Sequence, residues 1–289
     1  MTVIDSHQHF WNPSRVSYDW LGPHLGPINR AIEFPELEPL LAATGVERTV
    51  LVQSADNDAD TDYMFEVAAA HPAIAAIVGW VPLEDPEAVA RRLPLLRANP
   101  AFAGVRNLIH TKPDPDWLLR PDVDASLEIL AAADVPFDVV SVLPRHLEHV
   151  PTLSARHPSL RMVIDHLSKP PIGADDDEPW RGLIARAAEN PRVFAKVSGL
   201  YPAVGDMTAW TAADLRPYLH LALELFGADR LMFGGDWPIS MLAGGYVRVW
   251  EELGILFDEL SATERAAILG GTAATFYGIP ASRLPGGPS

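Results

Sequence analysis

The chain of 289 residues contains no cysteine. That absence excludes disulfide scaffolds, thiol nucleophiles and cysteine-ligated zinc together. Positive charge is also scarce: 22 Lys and Arg against 38 Asp and Glu give a formal net charge of −16. Neutralising phosphates needs a basic footprint, and anchoring on anionic lipid needs a polybasic cluster, so neither nucleic acid nor a membrane surface is an expected partner. Long apolar runs are missing as well. The most apolar stretch, 67–83, is cut by His71, Pro72 and Pro82 into pieces too short to span a bilayer. The first seven residues, Met1 to His7, carry no basic n-region and no apolar core, so no secretory leader is read and a cytoplasmic location is expected. No Gly-x-Gly-x-x-Gly or phosphate loop follows an apolar run, which disfavours nucleotide chemistry. No Gly-x-Ser-x-Gly elbow offers a serine nucleophile.

What the sequence does have is alternation. Short β-branched runs recur at 3–7, 49–53, 76–81, 104–109, 137–142, 161–165, 193–197 and 231–233. Between them lie stretches with helical spacing of Ala and Leu: 36–43, 62–70, 87–98, 124–133, 183–189, 212–225 and, after the last run, 246–256. Eight strands with crossover helices predict an α/β fold, a (β/α)8 TIM barrel, with an open doubly wound sheet as the alternative. The runs are apolar on both faces, as in Thr49-Val50-Leu51-Val52, which suits parallel strands covered by helices. One barrel domain is expected over 1–280. Within it, the aromatic, Pro/Gly-rich segment 11–35 is read as a lid-like loop over the mouth, and 281–289 as a flexible tail.

Catalytic side chains of such a barrel come from the C-terminal ends of its strands. The first strand ends in His7-Gln8-His9, two histidines at the spacing that shares one face. Asp165-His166 follows the sixth strand, and Asp236 follows the eighth after Gly234-Gly235. Three imidazoles and a carboxylate at strand ends suit either one divalent metal or a metal-free acid/base cluster. Arg106 lies inside an apolar strand, where an unpaired guanidinium is costly. It is either half of a buried ion pair or a donor to substrate. His110 is a secondary candidate. Trp11, Trp80 and Trp237 lie near strand ends, where they stack on a bound ring or pack beneath the loop. Lys169 reads as a solvated loop charge, with contact to substrate as the alternative, Lys112 as a loop charge, and Asp175-Asp176-Asp177-Glu178 as a solvated linker without the spacing of a calcium loop.

Several segments together resemble the sugar-lactonase branch of the amidohydrolase superfamily: Asp5-Ser6-His7-Gln8-His9-Phe10-Trp11, Val78-Gly79-Trp80-Val81, Leu118-Leu119-Arg120-Pro121, Val163-Ile164-Asp165-His166-Leu167-Ser168-Lys169-Pro170 and Phe233-Gly234-Gly235-Asp236-Trp237-Pro238. The resemblance runs from Val3 to Gly278. It implies hydrolysis of an aldonolactone such as L-fucono- or L-rhamnonolactone, with a small-molecule substrate and a monomeric or homodimeric protein. It also implies catalytic roles for Asp236, His7, His9, His166 and Arg106. A single metal, zinc first among the candidates, would be held by His7, His9, His166 and Asp236, and relatives in this branch are thought to work without an obligatory one. Two-metal relatives carry a lysine on strand 4 and a histidine on strand 5. Here those strands offer Arg106 and Asp138, which argues against a second metal. The alternative activity implied by the superfamily is a metal-dependent decarboxylase of a carboxylated ring.

Overall fold

Each of the eight apolar runs forms a strand, and all pair in parallel in the order β1-β2-β3-β4-β5-β6-β7-β8. The computed structural model describes residues 2–286. Its strands are β1 Ile4–Gln8, β2 Arg48–Val52, β3 Ile74–Gly79, β4 Phe102–Asn107, β5 Phe137–Val139, β6 Met162–Ile164, β7 Val193–Val197 and β8 Leu231–Phe233. The sheet curls until its last strand meets its first. There His9 N donates to Trp237 O at 2.7 Å and Asp236 N donates to His7 O at 2.8 Å. The alternative of an open sheet is thereby replaced by a (β/α)8 barrel.

The helices between strands are α1 Phe34–Thr44, α2 Asp58–Ala70, α3 Pro86–Arg97, α4 Pro121–Ala132, α5 Pro144–Arg156, α6 Glu178–Ala188 and α7 Ala212–Phe226, with α8 Tyr246–Phe257 after β8. Proline stands in the first turn of α1, α3, α4, α5 and α6, where its missing N–H has no intrahelical partner to lose. The sequence reading has no helix in place of α5. Its Pro151 and two histidines obscure the apolar spacing, yet Leu147, Val150 and Leu153 form a buried face.

Strand periodicity places the site. On β4 to β7, Val105, Phe137, Val139, Met162, Ile164, Val193, Ala195 and Val197 belong to the large core cluster shared with the surrounding helices. The alternate residues Arg106, Asp138 and Lys196 point into the barrel, together with Asp165 just past β6. Val163, Met232, Phe276 and Tyr277 belong to a separate apolar cluster that also holds the start of β1.

Predicted boundaries shift: β3 and β4 each begin and end two residues earlier than the apolar runs suggest, at Ile74–Gly79 and Phe102–Asn107. β5 ends at Val139 rather than Val142, so Val140 and Val142 leave the sheet. The tail predicted as flexible is described as far as 286, and there it is pinned. Arg283 donates to Ile74 O and Ala75 O at 2.9 and 2.8 Å, and Arg48 Nε donates to Arg283 O at 2.7 Å. Strand-end carbonyls on the barrel underside supply the partners. The remainder of that tail lies outside the described residues. In the segment 11–35, reciprocal bonds between Trp11 and Ile32, at 3.1 and 2.9 Å, tie its two ends together.

Candidate active site

Asp236 is the hub of the upper barrel. Its Oδ1 lies 3.9 Å from His7 Nε2, 4.0 Å from His9 Nε2 and 3.9 Å from His166 Nε2. The other nitrogen of each ring is already engaged. His9 Nδ1 donates to Val52 O at 2.8 Å, and a carbonyl can only accept, so His9 Nε2 carries the lone pair. His166 Nδ1 bonds Ser198 Oγ at 2.8 Å. His7 Nδ1 lies 3.0 Å from Lys196 Nζ and 3.3 Å from Asp165 Oδ1. Burial pushes all three imidazoles down, His7 to about 3 and the others well below their ordinary value, so they are neutral at pH 7. Burial pushes Asp236 up to about 6, against the pull of Lys169 and Arg106.

Backbone conformation brings these groups together. His166, Leu167, Ser168 and Lys169 all have left-handed φ, at 56°, 49°, 60° and 50°. Such residues cost roughly 1–2 kcal/mol each relative to the right-handed region. The turn is held by Trp180 Nε1 donating to Leu167 O at 2.8 Å and by a 2.6 Å bond between the Ser141 and Ser168 hydroxyls. It delivers His166 and Lys169 to the same cavity, where Lys169 Nζ donates to Gly199 O at 3.2 Å. Gly199 has φ +55°, and a Cβ there would sit 2.5 Å from His166 Nδ1 and 2.8 Å from Asp236 Oδ2. No other residue fits.

A cavity of about 180 Å3 opens above Asp236 and is lined by His9, His166, Arg106, His110 and Lys169 on its polar side. Trp11, Trp20, Leu108, Val140, Val142 and Ile239 form the apolar side. Trp20 is fixed by its indole N–H donating to Ser54 O at 2.6 Å. His7 stands one layer beneath. Trp80 and Trp237 are not among the lining residues. Trp80 is half-buried, with its backbone N bonded to Thr61 Oγ1 at 2.9 Å, and the Trp237 ring turns away to pack edge-on against Phe10. Lys169 is the converse correction, a cavity residue rather than a solvated loop charge. Arg106 satisfies both of its readings at once: it donates to Asp165 Oδ2 at 3.0 Å and Gln53 O at 2.5 Å, and it still faces the cavity.

Below this lies a cluster that the sequence reading missed. Lys196 Nζ, with no solvent exposure, contacts Asp138 Oδ2 at 2.6 Å and Asp165 Oδ1 at 3.0 Å. The Tyr277 hydroxyl donates to Asp138 Oδ2 at 2.7 Å. Burial alone would raise the Asp165 carboxyl, but Lys196, His7 and Arg106 outweigh it and hold Asp165 well below its usual range. Asp138 is pushed up to about 6 by the same burial. A charged residue inside an apolar strand is the signal that singles out Arg106. It applies equally to Asp138 and Lys196.

The donor set suits one divalent metal. His7, His9 and Asp236 offer ligand atoms that all lie within 4.8 Å of one another. Ligands at about 2.0–2.2 Å from a tetrahedral ion stand roughly 3.4 Å apart, between the 3.1 Å that separates His7 Nε2 from His9 Nε2 and the 3.9–4.0 Å from Asp236 Oδ1 to His7, His9 and His166. Outer partners on the Nδ1 atoms of His9 and His166 turn their Nε2 atoms toward Asp236, the arrangement common to metal-binding histidines, and His7 Nε2 stands 3.1 Å from His9 Nε2 and 3.4 Å from Arg106 Nη1. On β5, where a second metal would need a histidine, Asp138 is engaged by Lys196.

Residues 4–279 match the amidohydrolase family, and the chain belongs to it. Among its relatives is an L-fucono-1,5-lactonase of Burkholderia ambifaria, 38% identical over 282 residues, which cover 96% of this chain and 95% of the relative. An L-fucono-1,5-lactonase of Burkholderia multivorans is 34% identical over 292 residues, covering 96% of each chain. Among solved structures, an amidohydrolase from Burkholderia multivorans with bound zinc superposes with a TM-score of 0.88. It is 34% identical, with 97% of this chain and 100% of that one covered.

Proposed function

We propose that this protein hydrolyses a sugar-acid lactone to the open acid, with L-fucono-1,5-lactone or a close aldonolactone as substrate. The observation that carries the reading is Asp236, with one oxygen facing three imidazole nitrogens at 3.9–4.0 Å below a cavity of about 180 Å3. The likeness to two L-fucono-1,5-lactonases supports it. Asp236 accepts the proton of the attacking water. Arg106, a permanent cation on the cavity wall, stabilises the oxyanion that forms from the lactone carbonyl. Asp236 then returns the proton to the ring oxygen as the acyl C–O bond breaks. A lactone needs that second step because its leaving group is an alkoxide. His7, His9, His166 and Asp236 would hold the metal, zinc by the donor set and by the zinc-bound structural relative. When bound, such an ion supplies a Lewis acid for the carbonyl oxygen. Trp20, backed edge-on by the fully buried Trp11, offers a ring face against which a sugar ring packs, and His110 and Lys169 offer polar contacts to its hydroxyls.

Replacing Asp236 by Asn tests the assignment. We expect kcat/KM on aldonolactones to fall by about a thousandfold, the range for loss of a general base, with the melting temperature within a few degrees of wild type. A variant within tenfold of wild type would overturn the role of Asp236.

A further inference from the structure

A second hollow of about 310 Å3 adjoins the reaction cavity, between the first turns of α5 and α6. Its walls are predominantly apolar, with Pro144, Leu147, Pro179, Trp180 and Leu183 among them. Trp180 turns its one polar atom away to Leu167 O. Val142 and Lys169 line both hollows, so the two meet at these side chains. Lys169 ties its ammonium group to Gly199 O.

The rim carries apolar groups too, beside the exposed Asp176. Among the described residues, six large hydrophobic side chains are exposed, and four of them lie on two loops beside this cleft: Val142 and Leu143 after β5, Val204 and Met207 after β7. Val204 approaches within 3.4 Å of where a Cβ of Gly173, on the β6–α6 loop, would stand. A cluster of exposed apolar groups next to a reaction cavity calls for a ligand of matching character. A polyhydroxylated lactone leaves these groups unused.

Building on the proposed lactone hydrolysis, we infer that the cleft holds an unbranched alkyl substituent and that the site accepts a second substrate class, γ- or δ-lactones bearing such a chain. The reaction is unchanged. Water adds to the carbonyl carbon, the acyl C–O bond breaks, and the proton passes through Asp236 to the ring oxygen, giving a hydroxy acid with its chain lying past Val142 and Lys169.

The test is the rate of acid release from γ-butyrolactone, γ-hexalactone, γ-octalactone and γ-decalactone, with L-fucono-1,5-lactone alongside. Burial of each methylene is expected to raise kcat/KM by about three- to fourfold, so each step of two carbons gives roughly tenfold until the cleft is full. Ala203, exposed on the rim and lining the cleft, is the position to block. Ala203→Trp should flatten the series while leaving the aldonolactone rate within twofold. A wild-type series that is flat or falls with chain length overturns the inference, as does an undiminished gain in Ala203→Trp. Silence on every lactone, L-fucono-1,5-lactone included, is a different result: it removes the lactonase reading itself, and the alkyl cleft with it.

Discussion

Two layers of ionisable groups share the barrel, and they differ in how completely their contacts are made. In the lower layer, Lys196, Asp138, Asp165 and Tyr277 meet at 2.6–3.0 Å with almost no exposure to solvent. In the upper layer, Asp236 Oδ1 stands 3.9–4.0 Å from three imidazoles, and Asp236 Oδ2 has no hydrogen-bond partner among the described residues. Both layers are buried. The first joins its cation to both carboxylates in direct contacts and holds His7 and Arg106 in place, although Asp138 Oδ1 accepts no hydrogen bond among the described residues. The second leaves a gap of ligand size between its carboxylate and its imidazoles, and the cavity opens onto that gap, which marks where the chemistry belongs.

The largest effect on this contrast comes from Lys196→Met, which leaves two buried carboxylates without their shared cation. Unfolding free energy should drop by roughly 3–5 kcal/mol in urea titration. Adding Asp138→Asn removes one of the stranded charges and should recover more than half of that loss, with Tyr277 still able to donate to the amide oxygen. Recovery of less than about 1 kcal/mol would mean that the lower layer is not held by this pair.

A middle-sized effect sharpens what a cation does for a buried carboxylate. Asp60 is fully buried, has no salt bridge among the described residues, and accepts backbone N–H groups through Oδ2, from Ser54 at 2.7 Å and Ala55 at 3.1 Å. Burial raises it to about 6, whereas Asp165 beside Lys196 stays low. The folded state therefore keeps a proton on Asp60 between pH 4 and 6 that the unfolded chain has released. The contribution of Asp60 to stability should fall by roughly 2–3 kcal/mol as pH rises through that window and stay level above it. The difference in unfolding free energy between wild type and Asp60→Asn, followed from pH 4 to 7, reads this directly. A difference independent of pH contradicts it.

The smallest effect belongs to the cavity wall. Trp20→Phe keeps an aromatic face but loses the 2.6 Å bond to Ser54 O. A net loss of about 1 kcal/mol should appear as a roughly fivefold rise in KM for the lactone with kcat unchanged.

Much of this was legible in the sequence, and the gaps have physical reasons. Parallel strands read as apolar runs, so all eight were found, and strand-end position correctly brought His9, His166 and Asp236 to one cavity with His7 just beneath. Strand-end position did not fix side-chain direction, which is why Trp80 and Trp237 were expected at the mouth and are not there. For Lys169 a solvated loop charge is the favoured reading over substrate contact, because nothing in the letters Asp-His-Leu-Ser-Lys announces four successive left-handed residues. Helix α5 was hidden by its proline and histidines. The lower layer was open to the reasoning applied to Arg106. Lys196 and Asp138 are charges in apolar strands, and alternation alone sets them on the inward row with Arg106.

The most direct test of the central claim is acid release by the purified protein with L-fucono-1,5-lactone, followed in a weakly buffered solution with a pH indicator. The account predicts saturable release well above the spontaneous rate and proportional to protein concentration. Release no faster than the uncatalysed background, across γ- and δ-aldonolactones, would contradict it.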